Sequence, residues 1–160
     1  MDITTFFSSQ EFEIVLKLFT ALLLGMSLGV ERAIAGKTAG MRTYGFVTMG
    51  AALFVIIGVL SSGGYEGTAA GFSDSSARVT AAIIQGIGFL GAGLIIFQGT
   101  KISGVTTAAG IWFAAGIGAA IGYGFYILAV ASTVLALFIF TVLWYIENKL
   151  KSLMRNSEED

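Results

Sequence analysis

Between Arg78 and Gly122 the chain runs through two apolar segments of membrane-spanning length, joined by a short loop whose single charge is Lys101. Both segments are studded with glycine: Gly86, Gly88, Gly91 and Gly93 in the first, Gly110, Gly116, Gly118 and Gly122 in the second. In water each interior glycine costs a helix about 0.5–1 kcal/mol relative to alanine. In lipid, every unpaired backbone N–H or C=O costs more than that, so the chain stays helical in spite of its glycines. The glycines then let neighbouring backbones approach closely, which is how membrane helices gain packing energy. The stretch therefore reads as the tightly packed centre of a small membrane bundle. Gly86-Ile87-Gly88-Phe89-Leu90-Gly91 also satisfies the dinucleotide fingerprint G-x-G-x-x-G, but that motif works where a strand turns into a helix, with an acid about 20 positions further on. Here the flanks are apolar for a full membrane thickness, and the next carboxylate is Glu147. It is a packing motif.

The charge content agrees. Of 160 residues, 12% are charged and 56% hydrophobic, where a soluble domain carries about 25% charged residues. The bilayer is the first partner implied, and no nucleic acid is expected. Cysteine is absent, which removes disulfides and thiolate metal sites; histidine is absent too, and with it the commonest general base and metal ligand. An enzyme is not expected, and no cofactor is called for beyond Mg²⁺. The first 13 residues carry Asp2, Glu11 and Glu13 without Lys or Arg, so they lack the basic start of a secretory signal. The first apolar segment is expected to remain as an anchor.

Five segments reach the roughly 20 apolar residues a membrane helix needs: 13–30, 44–62, 79–97, 105–122 and 125–146. The expected fold is an all-α integral membrane protein, a bundle of about five transmembrane helices with Gly-rich central helices. Lys17 is near enough to the outer end of the first segment to snorkel to the headgroups. Gly25 and Gly29 share one face of the same segment at a spacing suited to close helix contact. The fourth segment begins with mildly apolar Thr106-Thr107-Ala108-Ala109, and is either fully inserted or re-entrant. Only Tyr123-Gly124 separates it from the fifth, so these two form a tight antiparallel hairpin. Large aliphatic residues and a terminal Trp144-Tyr145 mark the fifth as a lipid-facing outer helix. Residues 1–147 form the transmembrane domain and 148–160 a short charged tail; no second domain is expected. Arg32, Lys37, Arg42, Lys101, Lys149, Lys151 and Arg155 fall on one side and only Arg78 and Lys17 on the other. Lys and Arg concentrate in cytoplasmic loops, which puts the N-terminus outside and the C-terminus in the cytoplasm.

Candidate functional groups sit at the membrane edges. Glu31, Arg32, Gly40, Arg42 and Thr43 flank the turn between the first two helices. Glu31 is placed to receive a cation or to pair with Arg42; Arg42 and Thr43 suit an anion or a lipid headgroup. The plainer alternative is a set of solvated, topology-setting charges. Arg78, with Asp74 one turn earlier, is either a snorkelling arginine or the lining of a pocket with Gln85, seven residues on and on the same helix face. Gln85 is deep enough to need a partner. Ser103, Thr106 and Thr107 complete the polar set. The packing glycines are Gly25, Gly29, Gly86, Gly88, Gly91, Gly93, Gly118 and Gly122. No carboxylate cluster lies in the apolar segments, so a dedicated Mg²⁺ path through one protomer is not visible; metal ligands are unknown.

Taken in order, Gly29-Val30-Glu31-Arg32, Ala39-Gly40-Met41-Arg42-Thr43, Arg78, Gly86-Ile87-Gly88-Phe89-Leu90-Gly91-Ala92-Gly93, Gly104-Val105-Thr106-Thr107-Ala108-Ala109 and Trp112 resemble the MgtC/SapB family of bacterial inner-membrane proteins. The resemblance implies a multi-pass protein of the inner membrane, linked to growth in low magnesium and, in pathogens, to survival inside host cells. One branch of that family acts on the F-type ATP synthase. The chain departs from the family pattern at Tyr44, Ala82, Gln85 and Gln98, and the soluble C-terminal domain of some members is not expected in it. Two functions follow as expectations: a regulatory or accessory protein that contacts its own copies or a membrane complex such as the ATP synthase, or a small transporter or channel for Mg²⁺ or another ion.

Overall fold

The computed structural model describes residues 9–62, 74–146 and 148–150. Five helices in it are long and apolar enough to cross a membrane: α1 (Ser9–Ile34), α2 (Met41–Ser61), α3 (Asp74–Leu94), α4 (Val105–Gly122) and α5 (Tyr126–Phe138). After α5 the backbone widens into a π-helical turn over Ile139–Leu143, and the apolar span continues to Leu150. Asp2, the side chain of Asp74, and the tail beyond Leu150 lie outside the described residues.

The third segment ends earlier than its hydropathy suggests. Helix α3 stops at Leu94, and Ile96–Gln98 (β1) pairs antiparallel with Lys101–Ser103 (β2), Phe97 opposite Ile102. The expected helix to 97 is corrected by this hairpin, a small addition to a chain that is otherwise helical. Its cause is local. Ile95, Ile96 and Phe97 favour extended backbone, and Gly99, at φ +59°, supplies the left-handed turn. Gly104 then takes φ +87° at the start of α4, with the Leu94 carbonyl where a Cβ would stand.

Helix α4 is continuous over Val105–Gly122 and is long and apolar enough to cross a membrane. It is small or apolar on every side, the pattern of a helix enclosed by neighbours, and it packs against α1, α2, α3 and α5. Two-thirds of its apolar window (67%) is buried, against 6% for α3. The centre expected over 78–122 thus divides: α4 is central and α3 peripheral.

The glycines divide the same way. A Cβ on Gly25 would fall on the Thr48 hydroxyl and 2.6 Å from the Tyr44 carbonyl oxygen. One on Gly29 would strike the Met41 backbone. Across α2, a Cβ on Gly118 would meet the Thr48 carbonyl, and one on Gly122 would lie 2.6 Å from Val55 Cβ. So α2 is gripped by α1 on one side and α4 on the other, backbone nearly touching backbone. Gly91 makes only ordinary contact with Ala108, and Gly86, Gly88 and Gly93 meet nothing within 4 Å. The close packing expected of those three is not made among the described residues.

Helix α5 is not wholly lipid-facing. Ala129, Thr133, Ala136 and Phe140 are buried, and their spacing of four, three and four puts them on one stripe. At the other end of the bundle, Lys17 is buried and pairs with Glu13 at 3.2 Å instead of reaching freely outward. There the Tyr123 hydroxyl donates to the Ser76 carbonyl at 2.7 Å and lies 2.8 Å from Thr80 Oγ1, tying the start of α3 to the α4–α5 turn.

Candidate functional site

Helix α1 is long enough to carry Glu31 and Arg32 to its last turn, and it turns Arg32 inward. Arg32 is 2% exposed. Its Nε donates to the Glu31 carboxylate and its Nη2 to the Phe140 carbonyl at 3.4 Å. The guanidinium carbon stands 3.8 Å from the centroid of the Phe140 ring. A buried cation requires such company, because desolvation alone costs several kcal/mol. Arginine suits the place: its planar, weakly hydrated head stacks on a ring while its fork donates sideways. The carbonyl that accepts from it belongs to the π-helical turn, where the widened backbone departs from the α-helical hydrogen-bond ladder.

Tyr44 completes the constellation. Its side chain is fully buried, and its ring meets Phe140 edge-on, centroids 6.4 Å apart at 90°. Its hydroxyl has no hydrogen-bond partner among the described residues. It points at Gly110 of α4, where a Cβ would collide with that hydroxyl and lie 2.7 Å from the tip of Phe140. One backbone opening in α4 therefore accommodates two aromatic rings, and those rings carry the arginine. Three helices besides α1 meet there.

The sequence-predicted residues are not all brought together. Glu31 pairs with Arg32 rather than Arg42. Arg42 and Thr43 are exposed; Arg42 lines a shallow groove of about 130 Å³ with Leu22, Met26, Met41 and Phe46. Gly40 starts α2 beside Gly29. Thr106 is exposed and Thr107 buried in the first turn of α4. Arg78 and Gln85 are exposed on α3, Arg78 at the opposite end of the bundle from Arg32. Gln85 faces away from the bundle rather than into a pocket. Among the described residues no group of three or more Asp or Glu side chains stands together as a metal site.

Sequence reasoning missed Tyr44, Gly110 and Phe140. Phe140 had a legible signal: it continues the stripe of Ala129, Thr133 and Ala136, the small positions of an otherwise bulky helix. The inward turn of Arg32 had none, since an arginine at a helix end ordinarily reads as an interfacial charge.

Five apolar helices around a small-residue core define a multi-pass membrane protein. The chain belongs to the MgtC family, whose model matches residues 18–149. It is 36% identical over 126 residues to protein MgtC of Salmonella typhimurium, covering 79% of this chain and 50% of that protein. It is 38% identical over 125 residues to an uncharacterized protein of Synechocystis, covering 78% of this chain and 50% of that one. It is also 34% identical over 139 residues to YhiD of Escherichia coli K12, whose name proposes a magnesium transporter, with 81% and 60% covered. The chain thus spans about half the length of the curated relatives it matches. No solved structure matches it.

Proposed function

We propose that this chain is a regulatory or accessory protein of magnesium homeostasis in the bacterial inner membrane, acting through helix contacts with its own copies or with a larger membrane complex. The ATP synthase is the complex the family resemblance implies. One observation carries the reading. The only arginine buried among the described residues is locked between Glu31 and Phe140, and the centre beneath it is filled by Ile111, Ala114, Ile117 and Ile121. Arg78 and Gln85 of α3 lie outside that centre, so among the described residues no polar route joins Gln85 to Glu31. The end bearing Arg32, Lys37, Arg42, Lys101 and Lys149 is the cytoplasmic one by the distribution of basic residues, with the N-terminus outside.

The second reading, transport of Mg²⁺, draws on the name borne by YhiD. Uptake of Mg²⁺ into sealed liposomes holding the folded full chain separates the two. The expected result is no saturable uptake above empty liposomes, together with a growth defect in low Mg²⁺ when the chain is deleted or carries Arg78→Ala. Saturable uptake abolished by Glu31→Gln would overturn the accessory reading.

A further inference from the structure

The inner stripe of α3 is Ser76, Val79, Thr80, Ile83, Ile87, Gly91 and Leu94, the positions that are buried or half-buried. Gln85 stands diametrically opposite, at 100° per residue. It is exposed, and no residue of its own chain bonds it among those described. It is also nine residues from either end of the apolar span Ser76–Leu94, about 14 Å of helix from each. That is the depth at which water is absent and a lipid tail offers an amide nothing. Around it on that face stand Ala81, Ala82, Gly88 and Ala92, with the Phe89 ring one turn on, all exposed. Gly88 has open space where a Cβ would be. The face therefore combines a polar group that must be satisfied with a flank of small residues, Ala81, Gly88 and Ala92, low enough to admit another backbone beside it.

We propose that two copies of this chain pair through the outer face of α3, with Gln85 hydrogen-bonded to the partner's Gln85. The chemistry selects a second copy. A carboxamide is both donor and acceptor, so it is its own complement, as a carboxylate or a guanidinium is not. All copies insert with the same orientation, so a twofold axis along the membrane normal sets residue 85 of each at equal depth, as an isologous interface requires. Arg78, on the same face, lies near the membrane edge, where water and salt screen the two like charges. This rests on the reading of the chain as a protein of helix contacts and specifies the face and the occupant.

The chain has no cysteine, so single-cysteine variants report one position each. In native membranes holding the full chain, Ala81→Cys and Ala92→Cys should form disulfide-linked dimers of this chain under mild oxidation. Val134→Cys, on the exposed side of α5, should not. In liposomes, Gln85→Leu should weaken dimerisation about fivefold by dilution-dependent energy transfer between labelled copies, and Gln85→Asn should retain most of it. Gln85 is exposed and bonds no described residue of its own bundle, so both variants are expected to fold. Equal cross-linking at positions 92 and 134, cross-linking to a different polypeptide alone, or unchanged association in Gln85→Leu would overturn the proposal. These readouts do not involve magnesium flux. A monomer would sink the interface and leave an accessory role through another partner, whereas Glu31-dependent uptake would sink the accessory role and leave the interface.

Discussion

Arg32 and Phe140 are joined twice: the guanidinium lies 3.8 Å from the centroid of the Phe140 ring and donates to the same residue's carbonyl at 3.4 Å. The link closes the bundle, because it fastens the end of the first helix to the last one across a separation of 108 residues. Arg32→Ala removes both contacts and strips the half-buried Glu31 carboxylate of its partner. The expected loss is about 3 kcal/mol, the range for breaking a buried pair on one side. Phe140→Leu keeps the backbone carbonyl and loses the ring, and should cost about 1–2 kcal/mol. Thermal unfolding in detergent, followed by circular dichroism, orders the two variants.

Tyr44 and Gly110 make the reciprocal pair. Gly110→Ala places a methyl where the Tyr44 hydroxyl and the Phe140 ring already stand, and overpacking of this kind costs about 1–3 kcal/mol. Tyr44→Phe removes a buried hydroxyl with no partner among the described residues, and should be neutral or stabilising by about 1 kcal/mol. The double variant should recover part of the Gly110→Ala loss. A double-mutant cycle on melting temperature measures the coupling, and strict additivity would show that the two sites do not touch.

The glycines of α3 and α4 should behave oppositely although they look alike in sequence. Gly118→Ala drives a methyl into the Thr48 carbonyl of α2 and should sharply reduce folded yield. Gly88→Ala meets nothing within 4 Å of its own chain and should leave the monomer's fold intact. Size-exclusion profiles of the two purified variants suffice to compare them.

That contrast marks what was legible beforehand. Hydropathy alone locates five spans, because the cost of exposing backbone to lipid leaves a run of 20 apolar residues few alternatives. The Gly25–Gly29 face reads correctly since the two are one turn apart on a helix with a single tight neighbour. Glycine number does not say which way a glycine faces, so α3 and α4 read as equals until their burial separates them. The hairpin after Leu94 was hidden by the same apolarity that signals a helix: Ile95-Ile96-Phe97 suits either, and Gly99 decides it. At the candidate site, Glu31 and Arg32 were visible as charges. Their pairing and the Phe140 ring were not, since a contact between helices one and five has no local trace in sequence.

The hairpin and the α1–α2 turn should both face the cytoplasm. They belong to one end of the bundle, because α1 and α3 finish there while α2 and α4 begin there, and that end carries Lys37, Arg42 and Lys101. Positive charge is retained on the cytoplasmic side. In the cysteine-free chain, Lys37→Cys and Thr100→Cys should resist a membrane-impermeant maleimide in intact spheroplasts and react fully in inverted vesicles. Ser62→Cys, at the exposed end of α2, should show the reverse. Labelling of Lys37→Cys and Thr100→Cys from opposite sides would break the five-span arrangement itself, since both positions must share a side if α2 and α3 each cross once. Labelling of both from outside would keep the five spans and invert the protein, moving the Arg32 end away from every cytoplasmic partner.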